Sequence, residues 1–156
     1  MDPLYIQPFV AAAKRVFDTM IEVPLSLGKP SLKKGNEVPY EVSGIIGLSG
    51  NVTGCVVISL SQEAAFHLVS ALLGETVSEL DEDCTDAIGE IANMIAGNAK
   101  TDFPSSGNSI SVPTVVVGKH KVNYPSGVPI VNIPCKTEKG EVIIEIAIKK
   151  KEEKPT

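Results

Sequence analysis

Tryptophan is absent from this chain, and aromatic residues make up only 4% of it. Proteins that hold single-stranded nucleic acid use aromatic faces as stacking platforms, so their scarcity argues against that class. No dense basic cluster occurs and the formal net charge is −5, which removes the electrostatic footprint a nucleic-acid partner would need. Cysteine is sparse as well. Cys55, Cys84 and Cys135 are widely spaced and form no C-x-x-C, and His67 and His120 complete no metal-ligand pattern with them. Reduced, structural thiols of a cytosolic protein are the expectation. Long apolar runs are also missing, since none approaches the roughly 20 residues that a bilayer-spanning helix requires. The start of the chain, acidic at Asp2, does not read as a signal peptide. Neither a membrane nor nucleic acid is therefore expected as a partner, and the expected location is cytoplasmic.

What is present suffices for a compact domain. A chain of 156 residues, 43% hydrophobic and 21% charged, can bury a sizeable core. One domain over 1–148 is expected, followed by a charged, frayed tail over 149–156. Leu4–Ile21 has helical spacing at Ile6, Val10, Ala13, Val16, Phe17 and Met20. Pro8 is tolerable there if it falls in the first turn, and Pro24 lies past the end. Residues 29–40 form a Gly/Pro/Lys-rich connection with room for a short strand. The runs 41–48 and 52–60 flank Ser49-Gly50-Asn51, a hairpin signal. Ser61 is an N-cap candidate for a helix that buries Ala65, Leu68, Val69, Leu72 and Leu73 and stops at Gly74. Four β-rich runs close the chain, at 110–117, 120–122, 128–134 and 141–148, with Thr137-Glu138-Lys139-Gly140 as the last turn.

Between these segments lies the most informative stretch, Asp83 to Phe103, begun by Asp83 or Thr85 and closed by Pro104. At about 100° per residue, Ile88, Ile91, Ala92, Ile95 and Ala99 gather in one sector, the stripe of a core-facing helix. Asp86, Glu90, Asn93 and Gly97 gather opposite, and the first three are neighbours on the helix surface. Such a face is ordinarily just solvated. Gly89 and Gly97, however, each cost about 1 kcal/mol of helix stability relative to alanine. Close packing or close approach of a partner is needed to explain them.

Self-contained active sites are poorly supported. Neither histidine stands beside a nucleophile-like motif, and no phosphate-cradling glycine loop occurs. Asp86 and Glu90, one turn apart on one helix, cannot flank a glycosidic bond from opposite faces. No histidine or third acid joins them in sequence as a metal ligand.

The run E-I-A-N-M-I-A-G-N, Glu90 to Asn98, resembles the signature helix of the CheC/CheX/FliY family, most of all its CheX branch. Members are phosphatases of the phosphorylated response regulator CheY, with an E-x-x-N pair on one long helix. The resemblance implies catalytic roles for Glu90 and Asn93 and an auxiliary role for Asp86. Asn93 would orient the attacking water and Glu90 would contact a lysine of the receiver. It also implies that this chain has no cofactor of its own, the Mg²⁺ being supplied by the CheY-like receiver, and that the chain forms a homodimer. Asn98 reads as structural, bonded to a neighbouring loop, and Pro113 carries no assigned role. The implied fold is α/β (α+β), an antiparallel-rich sheet packed with long helices in a pseudo-two-fold repeat.

The residues themselves hint at that repeat. Gly54–Leu60 (GCVVISL) parallels Gly140–Ile146 (GEVIIEI), and each hairpin follows a helix ended by a proline, Pro24 or Pro104. Aligning those prolines sets Val10 opposite Glu90 and Ala13 opposite Asn93, so the first helix lacks the polar pair. The alternative to an enzyme is a non-catalytic module of the same fold, docking through the same helix face on a receiver, flagellar or other signalling protein.

Overall fold

Strands with one wholly apolar face and one mixed face need two different covers. At the end of the chain, Val142, Ile144, Ile146 and Ile148 point one way and Ile143, Glu145 and Ala147 the other. The computed structural model describes residues 3–35 and 37–151, and there the first face lies under three helices while the second lies under loops. Helix α1 (Pro3–Arg15) continues as a π-helical segment (Val16–Ile21) and is followed by strands β1 (Ser26–Leu27), β2 (Ser31–Leu32), β3 (Val42–Ser49) and β4 (Val52–Leu60). Helices α2 (Gln62–Leu73) and α3 (Glu82–Thr101) come next. Strands β5 (Ser109–Ile110), β6 (Thr114–Val117), β7 (Val131–Thr137) and β8 (Gly140–Lys150) complete one antiparallel sheet. The sheet runs β1-β7-β8-β4-β3-β5, with β2 also on β7 and β6 also on β3.

This order is a pseudo-two-fold. Superposing the two repeated runs sets Ile58 on Ile144, and these residues are Cα partners across the central β4–β8 ladder. Each half contributes a helix, two short strands and a hairpin, and each half's short strands pair with the other half's hairpin. The short strands correspond closely: Leu27-Gly28-Lys29-Pro30-Ser31 in one half matches Ile110-Ser111-Val112-Pro113-Thr114 in the other.

The connections β2–β3 and β6–β7 must cross the far face of the sheet to reach the opposite half, and polar side chains bind them there. His120 Nε2 meets Ser43 Oγ at 2.7 Å, and Tyr124 OH donates to Glu145 at 2.6 Å. Lys33 Nζ donates to both Glu145 oxygens at 2.9 and 2.8 Å. Tyr40 N donates to Ser59 Oγ, its hydroxyl donates to Glu141, and the two straps touch at the Glu37–Lys121 bridge.

Several expectations are corrected. Helix α1 starts at Pro3, so Pro8 falls in the second turn, where it is buried. Leu73 is exposed, because α2 rotates its last turn off the core before Gly74 ends it at φ +70°. The run 110–117 is broken in two ahead of Pro113, since proline supplies no ladder donor. Residues 120–122 form no strand, only a bridge at Lys121, because they belong to a strap over the sheet. Strand β7 begins at Val131, three residues later than expected. Strand β8 runs on through Lys150, which pairs with Val52, so the tail cannot begin at 149; its last five residues lie outside the described ones. The Ser61 cap is observed, its Oγ accepting from Ala64 N at 3.1 Å. No helix among the described residues is long and apolar enough to cross a membrane.

Candidate functional site

Helix α3 begins at Glu82, earlier than the sequence signals, because Asp81 is the N-cap: its carboxylate accepts from Cys84 N at 2.9 Å. Glu82 and Asp83 in the first turn and Lys100 in the last complement the helix dipole. Ile88, Ile91, Ala92, Ile95 and Ala99 are buried, and the helix seats hard on β3, where a Cβ on Gly44 would lie 3.0 Å from that of Ala92. The expected polar face points outward, with Asp86 and Glu90 exposed and Asn93 half-buried. Among the described residues, the Glu90 carboxylate and the Asn93 carboxamide have no hydrogen-bond partner. An ordered helix thus presents a free acid and a free amide one turn apart.

The two glycines differ. A Cβ on Gly89 would come within 3.2 Å of Pro113 Cγ and 3.4 Å of Val115 Cγ2, so Gly89 makes room for the β5–β6 tip. Gly97 meets only Ile110 Cδ1, at 3.8 Å, and is not needed for packing. Pro113, left without a role by the sequence, is therefore the wedge that fixes this tip against the helix. The signal in sequence was the unexplained Gly89. Asn98 is structural as expected, but its partners are helices rather than a loop. Its Nδ2 donates to Met94 O at 2.8 Å, and its Oδ1 accepts from Arg15 Nη1 of α1 at 3.2 Å. Arg15 also reaches Asp102 at 3.4 Å. On α1, Val10 is half-buried and Ala13 fully buried, so no second polar site exists at those positions.

Other chemistries fare poorly. All three cysteines are free thiols. Burial, reinforced by Glu145, pushes Cys55 up to about 11, and burial pushes Cys135 up to about 12. Burial and then Asp81 raise Cys84. Thiols held protonated are poor nucleophiles at neutral pH. The described residues contain no group of three or more His, Cys, Asp or Glu positioned to hold a metal ion.

Known proteins resemble this chain in both sequence and fold. Residues 42–136 match the family model "Chemotaxis phosphatase CheX". The CheY-P phosphatase CheX of Thermotoga maritima is 30% identical over 122 residues, which cover 76% of this chain and 79% of that protein. A CheC-like superfamily protein from Shewanella sp. PV-4 superposes with a TM-score of 0.87 at 32% identity, over 96% of this chain and 99% of that one. CheX of Borrelia burgdorferi, solved in complex with CheY, BeF₃ and Mg²⁺, superposes with a TM-score of 0.80 at 29% identity, over 94% and 98% of the two chains. A free acid and amide at E-x-x-N spacing on one buried-backed helix, inside a two-fold sheet that these relatives share, leave a plain conclusion: this chain belongs to the CheX family of chemotaxis phosphatases.

Proposed function

We infer that this chain, acting as a single domain, hydrolyses the aspartyl phosphate of a phosphorylated CheY-like receiver. The observation that carries the reading is the outward, unpartnered Glu90–Asn93 pair on a helix whose opposite face is buried in the core. The receiver brings the acyl phosphate and the Mg²⁺ beside it, as the make-up of the relative's complex with CheY, BeF₃ and Mg²⁺ suggests. An acyl phosphate is already reactive; what it lacks is a water held in line with phosphorus. The Asn93 carboxamide oxygen accepts a hydrogen bond from that water while its N–H donates to a phosphoryl oxygen. Water oxygen bonds to phosphorus, the bond from phosphorus to the aspartyl oxygen breaks, and inorganic phosphate leaves a free carboxylate behind. The amide takes no proton, so its role is positioning, as with the glutamine of small GTPases. Glu90 pairs with a receiver lysine and sets the register of the docked helix. Asp86 adds negative charge at the rim.

Phosphate release from a phosphorylated receiver is the direct test. Asn93→Ala should slow hydrolysis by about 10²–10³-fold, the scale seen when one group that binds the transition state is removed. Its half-exposed side chain leaves the fold unchanged, so the circular dichroism spectrum and Tm should match wild type. Chelating Mg²⁺ should halt hydrolysis, while this protein alone should bind no metal tightly. Full activity in the Asn93→Ala variant would reject the reading.

A further inference from the structure

Val112 is 83% exposed, more than any other large hydrophobic residue among those described; Leu32 and Leu4 follow at 69% and 62%. The turn that carries Val112 is tied to β3 through Ser111. Ser111 N donates to Gly47 O at 2.9 Å, and Gly47 N donates to Ser111 Oγ at 2.8 Å. The same hydroxyl donates to the carbonyl of Val112, and Pro113 wedges against Gly89. Little ordering entropy is left to lose when such a side chain meets a partner.

Its place is set by the two glycines of α3. Ile110 lies against Gly97 and Pro113 against Gly89. Asn93 is midway between those glycines on the helix, so the segment carrying Val112 runs alongside the turn of Asn93. The other half of the pseudo-two-fold supplies an internal comparison. There the helix lacks the Glu–Asn pair, and the residue before the matching proline is Lys29. An apolar tip accompanies the polar pair, and a cationic tip accompanies its absence. A receiver's phosphorylation pocket holds a metal cation and a lysine, so a lysine tip beside Asn93 would be repelled while an aliphatic one is not.

We propose that Val112 is a receiver-contacting residue, an apolar tooth that seats on the rim of the partner's phosphorylation pocket beside the water held by Asn93. The proposal rests on the phosphatase reading above and assigns Val112 to binding rather than to chemistry. Its occupant is a receiver domain whose rim offers an aliphatic or small side chain there.

Steady-state hydrolysis of a phosphorylated receiver tests it. Val112→Ser should raise KM about five- to tenfold, the scale of losing a partly buried valine, with kcat within about twofold of wild type. Val112→Ile should restore wild-type KM, and Val117→Ser, further along β6, should change nothing. Tm should stay within a few degrees in every case. Unchanged KM in Val112→Ser, a fall in kcat alone, or a large fall in Tm would each overturn the assignment. Asn93→Ala measured alongside separates the two ideas. If it is dead while Val112→Ser is normal, only the tooth is wrong; if it is fully active, the phosphatase reading itself fails.

Discussion

At the scale of single residues, Glu90 and Asn93 share a surface but should fail differently when altered. A positioning amide acts chiefly in the transition state, so its loss should spare much of the binding. A carboxylate that pairs with a receiver lysine acts in the docked complex itself. Fully buried charge pairs lose several kcal/mol when one partner is truncated, whereas rim pairs lose little. Glu90 is exposed in the free protein and would be covered only by the partner, so Glu90→Ala should weaken docking by about tenfold, between those limits. Glu90→Lys should weaken it further through like-charge repulsion. Titrating each variant against a receiver bearing a beryllofluoride phosphoryl mimic would show the contrast. Equal affinity losses for Glu90→Ala and Asn93→Ala would mean that both residues only dock. Their outward placement on α3 was legible because residue type and 3.6-residue spacing together carry the signal. Asp81 as the cap was not, since Asp83 and Thr85 are chemically equivalent candidates and only the backbone trajectory chooses among them.

At the scale of elements, α3 illustrates two reasons for a glycine in a helix. Gly89 is required by packing, because the Pro113 ring and Val115 already occupy the space a side chain would take. Gly97 has ordinary clearance, so Gly97→Ala should stabilise the protein by about 0.5–1 kcal/mol through helix propensity alone. Gly89→Val should instead destabilise by about 1–3 kcal/mol, since the proline must be displaced or the helix shifted off β3. Urea denaturation of both variants checks the pair, and a stabilised Gly89→Val would show that the β5–β6 tip yields freely. Helical elements were the more readable part of this chain, because an amphipathic stripe declares itself within one segment. The edge strands were less so: 110–117 has the composition of one continuous strand, and only the proline's missing donor divides it. Residues 120–122 have strand-like spacing but lie in a strap over the sheet, where Lys121 bridges Glu37 of the other strap and His120 binds Ser43.

At the scale of the molecule, the repeat was visible in two seven-residue runs, but the exchange of edge strands between halves was not, since pairing between distant segments leaves no local pattern. The cover over the far face leaves no local pattern for the same reason. Glu145 alternates with isoleucines and looks like a solvent-facing strand residue, yet it is fully buried beneath two crossing straps, bonded to Lys33 and Tyr124. Lys33 is itself nearly buried, its side chain only 9% exposed. Removing one member of such a pair leaves an uncompensated charge in the interior, which costs more than the pair contributes. Lys33→Met should therefore destabilise the fold by about 3–5 kcal/mol. Combining Lys33→Met, Tyr124→Phe and Glu145→Leu should recover most of that loss, because no buried polar group is then left without a partner. Hydrolysis should persist in the triple variant, as α3 and the β5–β6 tip lie at the opposite face of the sheet. Equilibrium urea unfolding of the single and triple variants decides the matter. A Lys33→Met protein within about 1 kcal/mol of wild type would mean that Tyr124 and water suffice for the Glu145 carboxylate. A triple variant no better than the single would mean that the straps depend on these bonds for their path, and that the pseudo-two-fold is closed on its far face by charge rather than by shape.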